Sequence, residues 1–314
     1  MKFISYEDVF RLLSPELCVP LMRETLRELE LGVSRQYLRS WVLLPQQDIL
    51  GMMPAFLNSE IMGVKVISIF HHNTEHGLPS HQGLVVLFSS RTGEPLGAVD
   101  GNAVTQIRTG AVSAVATDLL ARREASHLAL IGAGAQARSH LLAMQQVRSI
   151  ENVSVFDTRS DFARSFADWA REHAGLEVQV ATTVAEATAK ADIICTLTPS
   201  ADPVLSLADV RPGAHINAVG ASSVTNRELA SDLVKAARFY GDRAESVLNE
   251  SGDFVIPMRE DVISEAHFRG ELGALICGRI EGRVADEDIT IFESLGLAVE
   301  DLAAALYVYQ QSEA

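Results

Sequence analysis

"LALIGAGAQARSH", residues 128–140, sets two glycines and a small residue between an apolar run and a helix-forming one, and its reading decides the fold. Gly132, Gly134 and Ala137 stand in G-x-G-x-x-G/A spacing. In that spacing the first glycine permits a tight strand-to-helix turn and the second lets the backbone approach a pyrophosphate. The small third residue lets the helix close on the strand. N–H groups at the start of a helix then face the phosphates. The surroundings agree: HLALI, VSVFD, VQVA, DIICTL and HINAV are short apolar runs separated by helix-forming stretches. Parallel strands need crossovers, and the crossovers are helices. The expectation is an α/β fold, with a doubly wound Rossmann domain over 118–294 that binds a dinucleotide. Asp157, closing VSVFD, is placed to accept hydrogen bonds from the adenosine ribose, which favours NAD. Arg159, two residues on, can pair with the additional phosphate of NADP, so that cofactor stays open.

Outside this region the texture differs. Residues 7–31 carry a helical pattern that Pro15 and Pro20 are expected to interrupt. From about 37 to 99 come short runs such as WVLL, GVKVISIF and GLVVLF, with SSRTGEP as a hairpin turn, so this part reads as mostly antiparallel sheet. VTQIRTGAVSAVATDLLA, residues 104–121, returns to helical spacing, and SLGLAVEDLAAALYVYQ forms a last helix whose place is back against the first part. A mixed α+β domain over 1–117, completed by 295–314, is therefore expected beside the Rossmann domain.

The chain has 314 residues, and 47% of them are apolar, enough to fill real cores. Its formal charge of −15 repels phosphate backbones and anionic lipid, so neither nucleic acid nor membrane is expected as a partner. No apolar run approaches the roughly 18 residues of a membrane span, and MKFISYEDVF does not read as a signal peptide, which together suggest a cytoplasmic protein. Cys18, Cys195 and Cys277 read as reduced core thiols. The histidines at 71, 72, 76 and 81 lack the spacing of a closed ligand set, and no metal is expected.

One strand carries an awkward charge. In "MGVKVISIF", residues 62–70, Lys65 alternates with apolar neighbours on both faces, which leaves a solvated ammonium hard to place. Arg108, alone in an Ala/Val/Thr-rich helix, is either a face residue or an anion clamp, since guanidinium suits bidentate carboxylate binding.

VDGNAVTQIRTGAVSAVAT, LIGAGAQA, ADIICTLTPSADPVL, HINAVGA and ITIFESLGLAVEDLAAA together resemble the ornithine cyclodeaminase and mu-crystallin family, from about Val42 to Tyr309. Its members, which include ornithine cyclodeaminases, archaeal-type alanine dehydrogenases, cyclic ketimine reductases and iminosuccinate reductases, form or reduce C=N bonds beside a carboxylate. The resemblance implies a Rossmann domain plus a substrate domain that dimerises. It also implies a lysine beside the reacting carbon, matched by Lys65, and arginines on the substrate carboxylate. Arg108 matches one of these, and Arg39 fits the other best, with Arg35 as the fallback. By the same resemblance His81 and Arg108 with Thr109, Gly132, Gly134, Ala135, Gln136, Asp157, Thr158, Arg159, Thr196, Val219, Gly220 and Ser294 would contact the cofactor. Where cyclodeaminases carry an acid after the NAVG strand, this chain has Ser222, and PSHQG and LNESGD resemble the ketimine reductase branch. A neutral hydroxyl cannot hold a distal ammonium as a carboxylate can. The resemblance therefore implies an NAD(P)H-dependent, homodimeric reductase of a small α-imino or cyclic ketimino acid. Ornithine cyclisation, or nucleotide and carboxylate binding without turnover, are the alternatives.

Overall fold

A computed structural model describes residues 2–58, 61–70 and 72–313. The chain divides into two compact units, Met1–Arg108 with Gly296–Ala314, and Thr109–Leu295.

The first unit opens with β1 (Lys2–Ile4), α1 (Tyr6–Leu12) and α2 (Pro15–Glu30). Ser5 and Ser14 cap the two helices by accepting the Asp8 and Leu17 amides. The prolines expected to interrupt the second helix do not. Pro15 takes the first helical position, where no N–H is needed, and Pro20 is carried inside a continuous helix. Then come β2 (Arg35–Gln36), β3 (Ser40–Leu43), β4 (Ile49–Leu57), β5 (Ile61–Ile69), β6 (His81–Ser89) and β7 (Pro95–Asp100). They form a seven-stranded sheet in the order β1-β7-β6-β5-β4-β2, with β3 also on β4. All pairs are antiparallel except β1 with β7, which is parallel.

Strand alternation gives this sheet two unlike faces. Met53, Lys65, Val85 and Val99 stand in register across four strands, all buried. The C-terminal helix, Ala298–Gln311, packs on β4 to β7, and α2 packs on that helix. The opposite face carries three apolar rows: Met52, Val66 and Leu84; Pro54, Val64 and Val86; Phe56, Met62 and Phe88. Each of these residues is at least partly exposed.

After β7 comes α3 (Gly101–Leu120), whose residues from Thr109 belong to the second unit. That unit continues through β8 (His127–Ile131), α4 (Ala135–Met144), β9 (Asn152–Phe156), α5 (Ser160–His173), β10 (Val178–Val180), α6 (Val184–Thr188) and β11 (Ile193–Thr196). It is completed by β12 (His215–Ala218), α7 (Ser231–Ala236), β13 (Arg238–Gly241), α8 (Ala244–Glu250), α9 (Gly252–Arg259), β14 (Phe268–Glu271), α10 (Leu272–Ile276) and β15 (Thr290–Glu293). Its eight strands are all parallel, ordered β10-β9-β8-β11-β12-β15-β13-β14. The central strands are buried on both faces, and β8 and β11 read as near-continuous apolar runs, as the sequence implied, whereas β12 and β15 also bury His215, Asn217, Thr290 and Glu293. The chain reverses its winding between β8 and β11, and in such sheets ligands bind outside the carboxyl ends at that switch point. The fold is thus the expected Rossmann-type sheet plus a mixed domain containing both chain ends.

Among the described residues no helix is long and apolar enough to cross a membrane, and no group of three or more His, Cys, Asp or Glu is gathered as a metal would require. His72, His76 and His81 are exposed, while His71 lies outside the described residues.

Candidate active site

In the first unit two buried cations converge on one carboxylate. Lys65 reaches from the covered face of β5 to the C-terminal helix, its Nζ 3.0 Å from both Oδ1 and Oδ2 of Asp301. The third N–H goes to Thr105 Oγ1 at 2.7 Å, and that hydroxyl donates in turn to the Gly101 carbonyl. Arg108 donates from Nε to Asp301 Oδ1 and from Nη1 to Glu300 Oε2, both at 2.9 Å. Arg39, half-buried between β2 and β3, donates to the Gly296 carbonyl at 3.4 Å and lies over the Trp41 ring. Arg35, the fallback for the second arginine, is exposed on β2.

Burial sets the electrostatics. It pulls the Lys65 ammonium down to about 8, against the attraction of Asp301, and the Arg108 and Arg39 charges add to the fall. For Asp301 burial works the other way, but Arg108 and then Lys65 outweigh it and hold the carboxyl below its ordinary value. The constellation formally combines three cations with two carboxylates, leaving one positive charge. A lysine with this value can give up a proton and regain it near neutral pH.

The glycine turn organises the second unit. Gly132 has φ +102°, and a Cβ there would lie 2.7 Å from the Leu197 carbonyl oxygen, so only glycine fits. Gly134 caps α4 without any side-chain hydrogen bond, and a Cβ at Gly134 would meet open space. Around it lies a cavity of about 430 Å³, lined by Gly132, Gly134, Phe156, Asp157, Thr158, Arg159, Thr198 and Ser200, at the carboxyl ends of β8, β9 and β11. A helix start without a side-chain cap, opening on free space at the switch point, fits a dinucleotide diphosphate.

Asp157 does more than end its strand. Its Oδ2 accepts the Ala133 amide at 2.9 Å and its Oδ1 the Arg159 amide at 2.8 Å, so the carboxylate also fastens the glycine turn. The Arg159 guanidinium lies 3.5 Å from the centroid of the Phe162 ring. Ala135 and Gln136 form the first turn of α4, and Thr196, Val219, Gly220 and Ser294 stand at the ends of β11, β12 and β15. Buried Ser294 Oγ and Gln136 Oε1 have no hydrogen-bond partner among the described residues. Thr109 is buried in α3, whereas His81, exposed at the start of β6, pairs its Nδ1 with Ser80 Oγ. A larger groove of about 620 Å³ lies away from the switch point and includes His127 and Asn152, the first residues of β8 and β9.

The family model for ornithine cyclodeaminase/mu-crystallin matches residues 2–314. The chain belongs to the ornithine cyclodeaminase/mu-crystallin family. Among relatives of that family, a Delta(1)-pyrroline-2-carboxylate reductase of Bacillus cereus is 38% identical over 269 residues, 85% of this chain and 82% of that one. The ketimine reductase mu-crystallin of Mus musculus is 37% identical over 313 residues, 98% of this chain and 96% of that one. The solved Delta(1)-pyrroline-2-carboxylate reductase of Thermococcus litoralis, in complex with NADH and L-proline, superposes with a TM-score of 0.97 at 37% identity, covering 100% of this chain and 98% of that one.

The resemblance to the ornithine cyclodeaminase/mu-crystallin family singled out Lys65 and Arg108 but not Glu300 and Asp301, the carboxylates that pair with them. A signal was present in AVEDLAAALYV, where two adjacent acids enter an otherwise apolar helix. Both are fully buried, and Glu300 also accepts the Leu297 amide at 3.1 Å. Acids in such a place need cationic partners, and in the fold Lys65 and Arg108 supply them.

Proposed function

We propose that the protein reduces the C=N bond of an α-imino or cyclic ketimino acid to an L-amino acid, with a five-membered pyrroline-2-carboxylate as the leading substrate. The protein is an NAD(P)-linked oxidoreductase of the kind formed by the imine reductases and alanine dehydrogenases of its family. The observation that carries the finer reading is the buried Lys65, held by Asp301 and Thr105 with its proton available near neutrality. The reductases among its relatives, one of them holding NADH and L-proline, support it.

Gly132, Gly134, Ala135 and Gln136 would receive the dinucleotide diphosphate and Asp157 with Thr158 and Arg159 the adenosine ribose, while Thr196, Val219, Gly220 and Ser294 border the remainder. When bound, the reduced nicotinamide supplies a hydride to the imine carbon. Lys65 holds a proton for the imine nitrogen, and Asp301 keeps that ammonium oriented and charged despite its burial. Arg108, fixed by its two carboxylates, and Arg39 supply the positive field for the substrate carboxylate, and the net single charge suits a monocarboxylate. Ser222 is exposed and neutral, which disfavours ring closure of a diamino acid.

The protein acts as a homodimer in this reading. Three rows of apolar side chains on β4, β5 and β6 form a continuous exposed patch on the first unit, with Met52 and Leu84 each 39% exposed, and a second copy covers it.

The test is a substrate panel of pyrroline-2-carboxylate, piperideine-2-carboxylate, iminosuccinate and pyruvate plus ammonia, each with NADH and NADPH. Oxidation of NADH by pyrroline-2-carboxylate with formation of L-proline is expected. Conversion of ornithine to proline on catalytic NAD, without net NADH oxidation, would replace this reading with cyclodeamination. No turnover of any member would leave a binding protein.

A further inference from the structure

Among the buried carboxyl groups of the second unit that the chemistry above does not use, three are completely enclosed. Glu228, Asp253 and Glu293 are each 0% exposed. The Glu228 carboxylate accepts three hydrogen bonds. Its Oε1 accepts the Thr198 amide at 2.6 Å and the Thr198 hydroxyl at 2.7 Å, and its Oε2 accepts the Gly220 amide at 2.7 Å.

We propose that Glu228 is a positioning residue that clamps the turn after β11 to the turn after β12 and thereby shapes the cofactor cavity. The proposal rests on the reading of that cavity as the dinucleotide site. Thr198 lines the cavity, and Gly220 follows the end of β12. The two turns are pressed together: a Cβ on Gly220 would lie 2.5 Å from the Thr198 nitrogen and 2.8 Å from the Glu228 carboxyl carbon. An ionised carboxylate accepts on both oxygens and donates nothing, so it alone among side chains of this length satisfies all three donors.

The clamp is anchored from behind. The Glu228 and Leu229 amides donate to Asp253 Oδ1 at 2.9 and 2.6 Å, and the Glu228 carbonyl accepts the amides of Val204, another cavity residue, and Leu205. Ser251, two residues before Asp253, donates its hydroxyl to Glu293 Oε1 at 2.7 Å, and Glu293 ends β15. Three strand ends are thus tied through one set of carboxyls. Burial, reinforced by the Glu228 charge, pushes Asp253 up to about 8, and burial also lifts Glu293 well above its ordinary range. Burial lifts Glu228 too, and the Thr198 and Gly220 donors pull against that lift.

The deciding experiment is titration of NADH fluorescence with wild type, Glu228→Gln and Thr198→Val, alongside steady-state kinetics and melting curves. In Glu228→Gln an amide NH2 must face either the Gly220 or the Thr198 N–H, so the turns are forced apart. NADH dissociation constant and KM for NADH are expected to rise about tenfold or more, with KM for the imine within about twofold and the variant still folded. Thr198→Val removes one of the three donors and is expected to weaken NADH binding by a smaller factor. Wild-type NADH affinity in a folded Glu228→Gln variant overturns the clamp. Should that variant not fold, wild-type affinity in Thr198→Val overturns it instead. A wild-type protein that binds neither NADH nor NADPH overturns the cavity reading itself, and the proposal with it.

Discussion

Lys65 Nζ lies 3.0 Å from both carboxylate oxygens of Asp301, although the two residues are 236 positions apart. This contact keeps a buried ammonium protonated. Burial lowers the lysine to about 8, and Asp301 is the partner that opposes burial, Arg108 and Arg39. If the protonated lysine supplies the imine nitrogen, reduction falls as pH rises through about 8. Asp301→Asn should move that basic limb about 1–3 units towards acid, because a paired opposite charge shifts a pKa by that much. The measurement is kcat/KM for the imine between pH 5.5 and 9.5. A basic limb left in place would remove Asp301 from the proton's control.

Lys65→Met keeps the length of the side chain and removes its proton. The expected outcome is a fall in kcat of about 10²–10⁴-fold, the usual worth of a positioned proton donor, with the NADH dissociation constant unchanged. The substitution also leaves Asp301 with Arg108 as its remaining partner, so Asp301 stays compensated and the fold survives. Turnover near the wild-type rate in a folded, NADH-binding variant would end the assignment.

What could be read in the sequence follows from where each feature's causes lie. The glycine turn is local: Gly132, Gly134, Ala137 and the flanking strand and helix fall within one short stretch, and spacing alone specifies their geometry. Lys65 announced itself as a charge among apolar residues, but its partner depends on which face of β5 meets the C-terminal helix. That is fixed by the register Met53, Lys65, Val85 across three strands, and no window of sequence contains it. Glu228 and Asp253 were hidden for the same reason, lying in NREL and LNESGD, segments that meet only through the fold. Pro20 shows the converse error, where a strong local rule yielded to the packing of α2 on the C-terminal helix.

In the proposed reading cofactor choice turns on Asp157, whose two oxygens hold the Ala133 and Arg159 amides. A carboxylate there repels a 2′-phosphate and accepts from ribose hydroxyls. Asp157→Ser should therefore lower the NADH-over-NADPH ratio of kcat/KM by about 10- to 100-fold, the worth of hydrogen bonds to a charged group. Arg159, beside it, should carry the gained NADPH affinity, and Asp157→Ser with Arg159→Ala should lose it. Parallel kinetics with both nucleotides decide the point. An unchanged ratio would place the discrimination elsewhere.

Val64 stands at the centre of the exposed apolar rows, between Pro54 on β4 and Val86 on β5's other neighbour, β6. Its side chain points away from Lys65 and from the C-terminal helix, so a charge placed there meets water in a single subunit and apolar surface in a dimer. Val64→Asp is expected to halve the mass measured by light scattering on a sizing column. Two aspartates brought together across a symmetric interface add like-charge repulsion to the desolvation cost. The Asp301 constellation lies on the covered face of the same sheet, built from residues of one chain, so the variant should still bind NADH. A dimer of undiminished mass in Val64→Asp would mean that a second copy uses another surface.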